Sequence, residues 1–287
     1  MKLALGTAQF GLDYGVSNST GRVSAEEVAR ILDVAANAGI RLIDTAWAYG
    51  DAEEVLGRLH ASERFDIVTK TALLSADGVE GVAAGVDESL SRLGLTSVYG
   101  LLVHAAGDLL GDSGPDLARL LVRSRENGIA RRIGISAYSA EEIYAALEVF
   151  DADLVQVPVN VLDQRLLGSG VLADLKARGI EVHARSTFLQ GLLLMEPAAA
   201  PAYFSPIRDR LEEWRDFCAA RGLSPLAAAL GFVTGLSEVD RVVVGVESAE
   251  QLTQIVAAAG PLDPADFLAL ALDDPMYLEP SRWQVER

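Results

Sequence analysis

Four polar residues stand where polar groups are costly. Asp44 follows the run IRLI, Lys70 follows FDIVT, His104 follows SVYGLLV, and Tyr49 lies five residues beyond Asp44. An Asp, a Lys and a His ending three successive, mostly apolar runs would meet at one end of a sheet. Desolvation and close opposite charge there shift protonation equilibria. Asp44 would pair with Lys70. The Lys70 ammonium would favour the phenolate of Tyr49, making the phenol a usable proton donor. His104 would hydrogen-bond a carbonyl oxygen beside it. Such a group suits carbonyl reduction, where an alkoxide develops as hydride arrives. Each residue alone has a plainer reading: a solvated lysine, a helix-capping aspartate, a packing tyrosine. The set in this order carries the chemistry.

The elements that must position these residues alternate regularly. Strand-like runs occupy 3–7, 40–46, 65–70, 97–104, 131–136, 152–159, 180–186 and 240–246. Helical patterns fill 24–38, 51–61, 79–93, 115–127, 139–149, 166–178, 207–235 and 248–259. Eight strands alternating with eight helices are the pattern of parallel βαβ units, and eight such units close into an α/β fold of the (β/α)8 TIM-barrel kind. The strands read as continuous apolar runs, as expected when both faces are covered. Ser24 with Glu27, and Ser139 with Glu142, form capping-box patterns. Asn37-Ala-Gly39, Glu126-Asn-Gly128 and Arg178-Gly179 supply helix stops. Residues 187–206 read as a long loop after the seventh strand, of the kind that serves as a lid or binding loop.

In such a barrel the chemistry sits on the loops after the strands. The fifth strand ends in Ser136, the sixth carries Gln156, the seventh ends in Arg185-Ser186, and the eighth runs into Gly245-Val246-Glu247. The whole chain, 1–287, reads as one barrel domain, since no linker or low-complexity tract divides it.

Composition bounds the partners. The chain carries 24 Lys and Arg against 41 Asp and Glu, a net charge of −17. That surface repels phosphate backbones and anionic lipid, which disfavours nucleic-acid and membrane binding. No long uncharged apolar stretch or signal-peptide pattern appears, so a cytoplasmic protein is expected. The single cysteine, Cys218, excludes an intrachain disulfide and reads as a structural thiol. No metal site is expected.

The same residues carry a family resemblance. LGTAQFG (5–11), DTAWAYGDAEEVLG (44–57), VTK (68–70), SLSRLGLTSVYGLLVH (89–104), GIARRIGIS (128–136), LVQVPVN (154–160) and VVVGVESAEQL (242–252) resemble successive blocks of the aldo-keto reductase superfamily. The likeness covers nearly the whole chain. YGVSN (14–18), VNVLDQR (159–165) and HARSTFLQGLLLM (183–195) are similar to a bacterial group that includes the NADH-binding cell-division regulator KidO.

The resemblance implies hydride transfer between a nicotinamide cofactor and a small aldehyde or ketone. It makes Tyr49 the general acid, tuned by Lys70 and Asp44, with His104 orienting the carbonyl. It places Thr7 and Asp44 near the nicotinamide ribose, and Ser136 and Gln156 at the carboxamide. Ala137 stands where the family has an Asn. Arg185 takes the position that stacks on the nicotinamide ring, where a guanidinium plane can also stack. Ser186, Phe188, Gln190 and Gly191 fall over the pyrophosphate, with Gly245 and Glu247 at the last block. Members that use NADP place a cation just after the eighth strand; residues 242–260 contain none. Glu247 would repel a 2′-phosphate but accept a hydrogen bond from a ribose 2′-hydroxyl, so NAD(H) is expected over NADP(H). Phe10 and Trp47 are expected at the substrate, with Gln9, Tyr14 and Tyr138 as further candidates. Since the fold does not guarantee turnover, the alternative is an NAD(H)-binding regulator acting through a protein partner.

Overall fold

The computed structural model describes residues 1–75 and 77–284. Eight parallel strands close into a barrel in chain order. They are β1 (Leu3–Gly6), β2 (Leu42–Asp44), β3 (Asp66–Lys70), β4 (Val98–Val103), β5 (Ala130–Ser136), β6 (Leu154–Pro158), β7 (Glu181–Arg185) and β8 (Arg241–Gly245). Closure is the pairing of β1 with β8, with Leu5 opposite Val244 and Gly6 opposite Gly245. Seven strands fall inside the runs expected of them, and β5 begins one residue early, at Ala130. Most are a residue or two shorter than their runs, because the ladder hydrogen bonds stop before the apolar residues do.

Helices cover the outside and bury their apolar stripes against the strands. The helix Ala25–Asn37 starts where Ser24 accepts the Glu27 backbone N–H. The helix Ala140–Leu147 starts the same way at Ser139. Neither glutamate closes its box. Glu27 instead accepts the N–H of Ala249, fastening the start of the last barrel helix, Ala249–Ala258. Glu142 accepts the N–H of Tyr138.

Two expected helices are each divided. The pattern 207–235 forms Arg208–Ala220 and Pro225–Gly235. Gly222 turns left-handed between them (φ 63°), and Ser224 caps the second with Pro225 behind it, a stop and a fresh start in four residues. The pattern 166–178 forms Arg165–Gly168 and Val171–Ala177. The expected loop 187–206 is not free. It folds as three short 3-10 turns, Leu189–Leu194, Pro197–Ala199 and Ala202–Ile207. Leu189, Leu192, Leu193 and Phe204 are buried, and the Trp214 indole donates to the Leu193 carbonyl at 2.9 Å. No single helix among the described residues is long and apolar enough to cross a membrane.

The barrel lumen is a packed core. Ala4, Leu42, Val68, Leu102 and Leu154 form its middle layer. At the strands' N-terminal ends Glu181 gathers three donors: Tyr99 Oη at 2.6 Å, Arg132 Nε at 3.0 Å and His183 Nε2 at 2.9 Å. The opposite end carries the site.

Candidate active site

Strand parity decides which side chains enter the barrel. On β3, Val68 and Lys70 face inward while Thr69 faces out and donates to buried Glu53 at 2.6 Å. Lys70 is therefore driven into the lumen, 1% exposed. Its Nζ donates to Asp44 Oδ1 at 2.6 Å and to the Thr45 carbonyl at 3.0 Å. Burial opposes its charge, but Asp44 and Tyr49 outweigh burial and raise its pKa. Asp44 Oδ2 accepts from Gln156 Nε2 at 2.6 Å. Thr7 Oγ1 donates to the Asp44 carbonyl at 3.0 Å, tying the end of β1 to that of β2.

Tyr49 is half-buried beside this pair. Lys70 Nζ lies 5.1 Å from its ring centroid. The His104 ring stands edge-on to it, 6.0 Å between centroids. Burial, then the Lys70 cation, press the His104 pKa down to about 4. The imidazole is thus neutral at pH 7, with one N–H to donate.

These residues line a cavity of about 730 Å³ at the C-terminal mouth. Of the residues expected at the site, Thr7, Asp44, Tyr49, Lys70, His104, Ser136, Gln156, Arg185, Ser186, Phe188, Gln190, Gly245 and Glu247 all line it, as do Gln9, Tyr14 and Tyr138. Phe10 and Trp47 do not. Phe10 is 1% exposed in the core between barrel and helices. The Trp47 indole turns outward, donating to Glu88 at 2.7 Å with Arg92 packed on its ring. Nothing in either residue's local pattern revealed that direction, because the one-turn helix Ala8–Gly11 and the turn at Trp47 are too short to show a period. Further lining residues, Leu226 and Ser281 among them, come from distant chain segments and left no local signal. Gln251 and Gln254 had one: they follow Glu247 onto the helix Ala249–Ala258 at i and i+3 spacing.

The cavity is built for a polar occupant. Gln9 Oε1, His104 Nδ1, Gln156 Oε1 and Thr187 Oγ1 are buried along it without a protein hydrogen-bond partner. Unpaired buried polar atoms cost about 1–3 kcal/mol each, so four around one cavity mark a ligand site. The residues fit a nicotinamide cofactor. Gln156 Oε1, beside Ser136, suits a carboxamide NH2. A Cβ at Gly245 would lie 2.6 Å from Gln9 Oε1 and would push that side chain along the cavity wall. Glu247 also lines the cavity, and Thr20 Oγ1 donates to its Oε2 at 3.5 Å.

Comparison with known proteins decides the family. The aldo/keto reductase family model matches residues 2–271. The chain belongs to the aldo/keto reductase family. An aldo-keto reductase of Mycolicibacterium smegmatis is 34% identical over 192 residues, 64% of this chain and 65% of that one. Another, from Mycolicibacterium paratuberculosis, is 34% identical over 145 residues, 49% of this chain and 50% of that one. The chain thus spans between half and two thirds of the length of these curated relatives. An aldo-keto reductase from Bacillus halodurans, solved in a holo form, superposes with a TM-score of 0.78 at 20% identity, covering 98% of this chain and 95% of that one. At that identity the likeness is one of fold.

Proposed function

We propose that this chain is an aldo-keto reductase that reduces aldehyde or ketone carbonyls, or oxidises the corresponding alcohols, with Tyr49 as general acid. The observation that carries the reading is the buried Lys70–Asp44 pair set 5.1 Å from the Tyr49 ring, with neutral His104 beside it, at the floor of a cavity lined with unpaired polar atoms. Aldo-keto reductases use nicotinamide cofactors. Gln156, Ser136, Thr7 and Asp44 would hold the nicotinamide end, and Ser186, Phe188, Gln190 and Gly245 the diphosphate.

The cofactor, when bound, supplies a hydride to the carbonyl carbon. The rest falls to the protein. The neutral His104 imidazole donates to the carbonyl oxygen and fixes its direction. Tyr49 gives its phenolic proton to that oxygen as negative charge grows there. The Lys70 ammonium stabilises the resulting phenolate, and Asp44 holds the ammonium in place against its cost of burial. The packed barrel below excludes water. Steady NADH oxidation with an aldehyde panel, lost at least ~100-fold in Tyr49→Phe, is the expected result. Equal turnover by that variant would refute the assignment.

Within the family we place the chain in the bacterial group that includes KidO, on the blocks at 14–18, 159–165 and 183–195, and we read the whole chain as one barrel domain. NAD(H) is favoured over NADP(H). Glu247 lines the cavity and no cation lies between 242 and 260. Fluorescence titration should show tighter binding of NADH than NADPH, and Glu247→Arg should narrow the gap. Tighter NADPH binding by the wild type would overturn the preference. The enzyme reading is preferred to a binding-only regulator because Asp44, Tyr49, Lys70 and His104 line one cavity.

A further inference from the structure

Arg185 is the one strongly basic group at the reacting end whose charge the described residues leave uncompensated. Lys70 has Asp44 at 2.6 Å. Arg185, at the end of β7, lines the cavity half-buried, and the groups it touches are neutral. Its guanidinium lies 4.2 Å from the Tyr138 ring centroid, and Nη1 donates to Ser186 Oγ at 3.3 Å. It lines the same cavity as Tyr14, Lys70 and His104. Asp163 feels its charge, but that carboxylate is taken by Arg165 at 2.8 Å. A guanidinium offers five N–H donors in a plane. The Tyr138 ring takes one face, a serine hydroxyl takes one donor, and the remaining edge is free. A chain of net charge −17 has no general reason to keep such a cation in a cleft.

We propose that Arg185 binds a carboxylate of the substrate, and that this protein acts on oxo acids, meaning aldehydes or ketones that carry a carboxylate. This rests on the reductase reading given above. A planar guanidinium and a carboxylate match in a two-point hydrogen bond. With the carboxylate held at the end of β7, the carbonyl is directed toward Tyr49 and His104 across the mouth. The carbonyl carbon gains the hydride with its electron pair. The π pair moves to oxygen, and that oxygen takes the Tyr49 proton. The carboxylate is unchanged, so the product is a hydroxy acid and the cofactor leaves oxidised. The second face of the guanidinium stays available to the nicotinamide ring.

The test compares each acid with its neutral methyl ester in the full chain with NADH: 4-oxobutanoate against methyl 4-oxobutanoate, and pyruvate against methyl pyruvate. A charged hydrogen-bond pair is worth about 10- to 100-fold. The wild type should prefer at least one acid over its ester by that factor in kcat/KM. In Arg185→Met the ratio should fall to near one, and in Arg185→Lys it should be partly kept. The ratio is the readout, so any general loss of cofactor binding cancels. Esters used as well as both acids, or a ratio that survives Arg185→Met, would overturn the proposal. A second arm needs no turnover: calorimetry of oxamate binding to the cofactor-free chain. Binding weakened about tenfold or more by Arg185→Met supports the assignment; no binding, or binding that the variant does not change, refutes it. If neither pair nor any member of the aldehyde panel is reduced yet oxamate binding depends on Arg185, the reductase reading fails while the carboxylate site stands; if the panel is reduced but neither acid is, the oxo-acid proposal fails while the reductase reading stands.

Discussion

On the proposed mechanism Lys70 and Asp44 serve both fold and chemistry, and the two roles come apart under substitution. Their side chains are 1% and 4% exposed and meet at 2.6 Å. Lys70→Met would leave the Asp44 carboxylate buried without its counter-ion. Breaking such a pair typically costs about 3–5 kcal/mol. Asp44 would keep the Gln156 amide at 2.6 Å, which places the cost near ~3 kcal/mol. At roughly 2–4 °C per kcal/mol, the melting temperature should fall by about 6–12 °C. The double variant Asp44→Asn, Lys70→Met removes both charges together and leaves a neutral amide beside Gln156. It should recover at least half of that loss, since the penalty lay in the unpaired charge. Turnover should behave otherwise: each single variant and the double should lose roughly 100-fold or more, because the cation beside Tyr49 is disturbed or absent. Urea unfolding at pH 7 and NADH oxidation, measured on all four proteins, give the cycle. A Lys70→Met protein within about 1 kcal/mol of wild type, or a double variant no more stable than Lys70→Met, would refute the reasoning.

Three further outcomes are expected. Burial would raise the Glu181 pKa, but His183, Tyr99 and Arg132 outweigh it and hold it at about 2. Its stabilisation is therefore present above about pH 4.5 and lost as pH falls toward 2, so the wild-type urea midpoint should drop across that window and Glu181→Gln should flatten the drop. His104, pressed down to about 4, stays neutral in the fold while the unfolded chain protonates near 6.5. Stability should decline between about pH 6.5 and 4, and His104→Gln should remove that part of the decline. Gly245→Ala would set a Cβ against the Gln9 amide; NADH affinity in a fluorescence titration should fall several-fold while the unfolding free energy shifts by no more than about 1 kcal/mol.

The barrel was legible because its signals repeat. Eight apolar runs alternate with eight amphipathic stretches, and each strand of the closed sheet lies on its run, with only Ala130 of β5 falling one residue outside. That Asp44, Lys70 and His104 would meet at one mouth was legible because strand parity and strand ends are local properties: once β3 is a strand with Val68 inside, Lys70 must be inside too; the place of Tyr49, in the turn after β2, came from the resemblance instead. Phe10 and Trp47 were not legible. Phe10 lies in a single helical turn, Ala8–Gly11, and Trp47 in the turn after β2, both too short for a period to relate one side chain's direction to the next. Their directions are set by distant partners, such as Glu88 and Arg92 for Trp47. The halves of the 207–235 pattern merged in the sequence for a different reason. Apolar spacing continues through Gly222 and Ser224, so the break shows in turn chemistry rather than hydrophobicity.

Backbone strain and ligand binding meet in the stretch after β7. Among the described residues, four that are not glycine have positive φ, and three of them are Ser186, Leu189 and Gln190. Such residues cost of order 1–3 kcal/mol each and persist where surrounding structure imposes them. Here the support is visible. Leu189, Leu192 and Leu193 are buried beneath the turn, Trp214 grips the Leu193 carbonyl, and the Gln190 carbonyl accepts the Val16 N–H at 3.1 Å from the loop across the mouth. Turns that mix right- and left-handed residues aim successive backbone N–H groups into one concavity, a shape that suits anions. The eighth-strand loop brings no cation to this cavity, and an acidic surface offers little attraction from afar. Under the proposed cofactor reading, a diphosphate would be held largely by this turn, whose Leu189, Gly191 and Leu193 N–H groups already donate to its own carbonyls and keep its shape. On this reading the strain belongs to binding, and substitutions that relax it, such as Gln190→Gly, should leave stability unchanged or improved while NADH binding weakens.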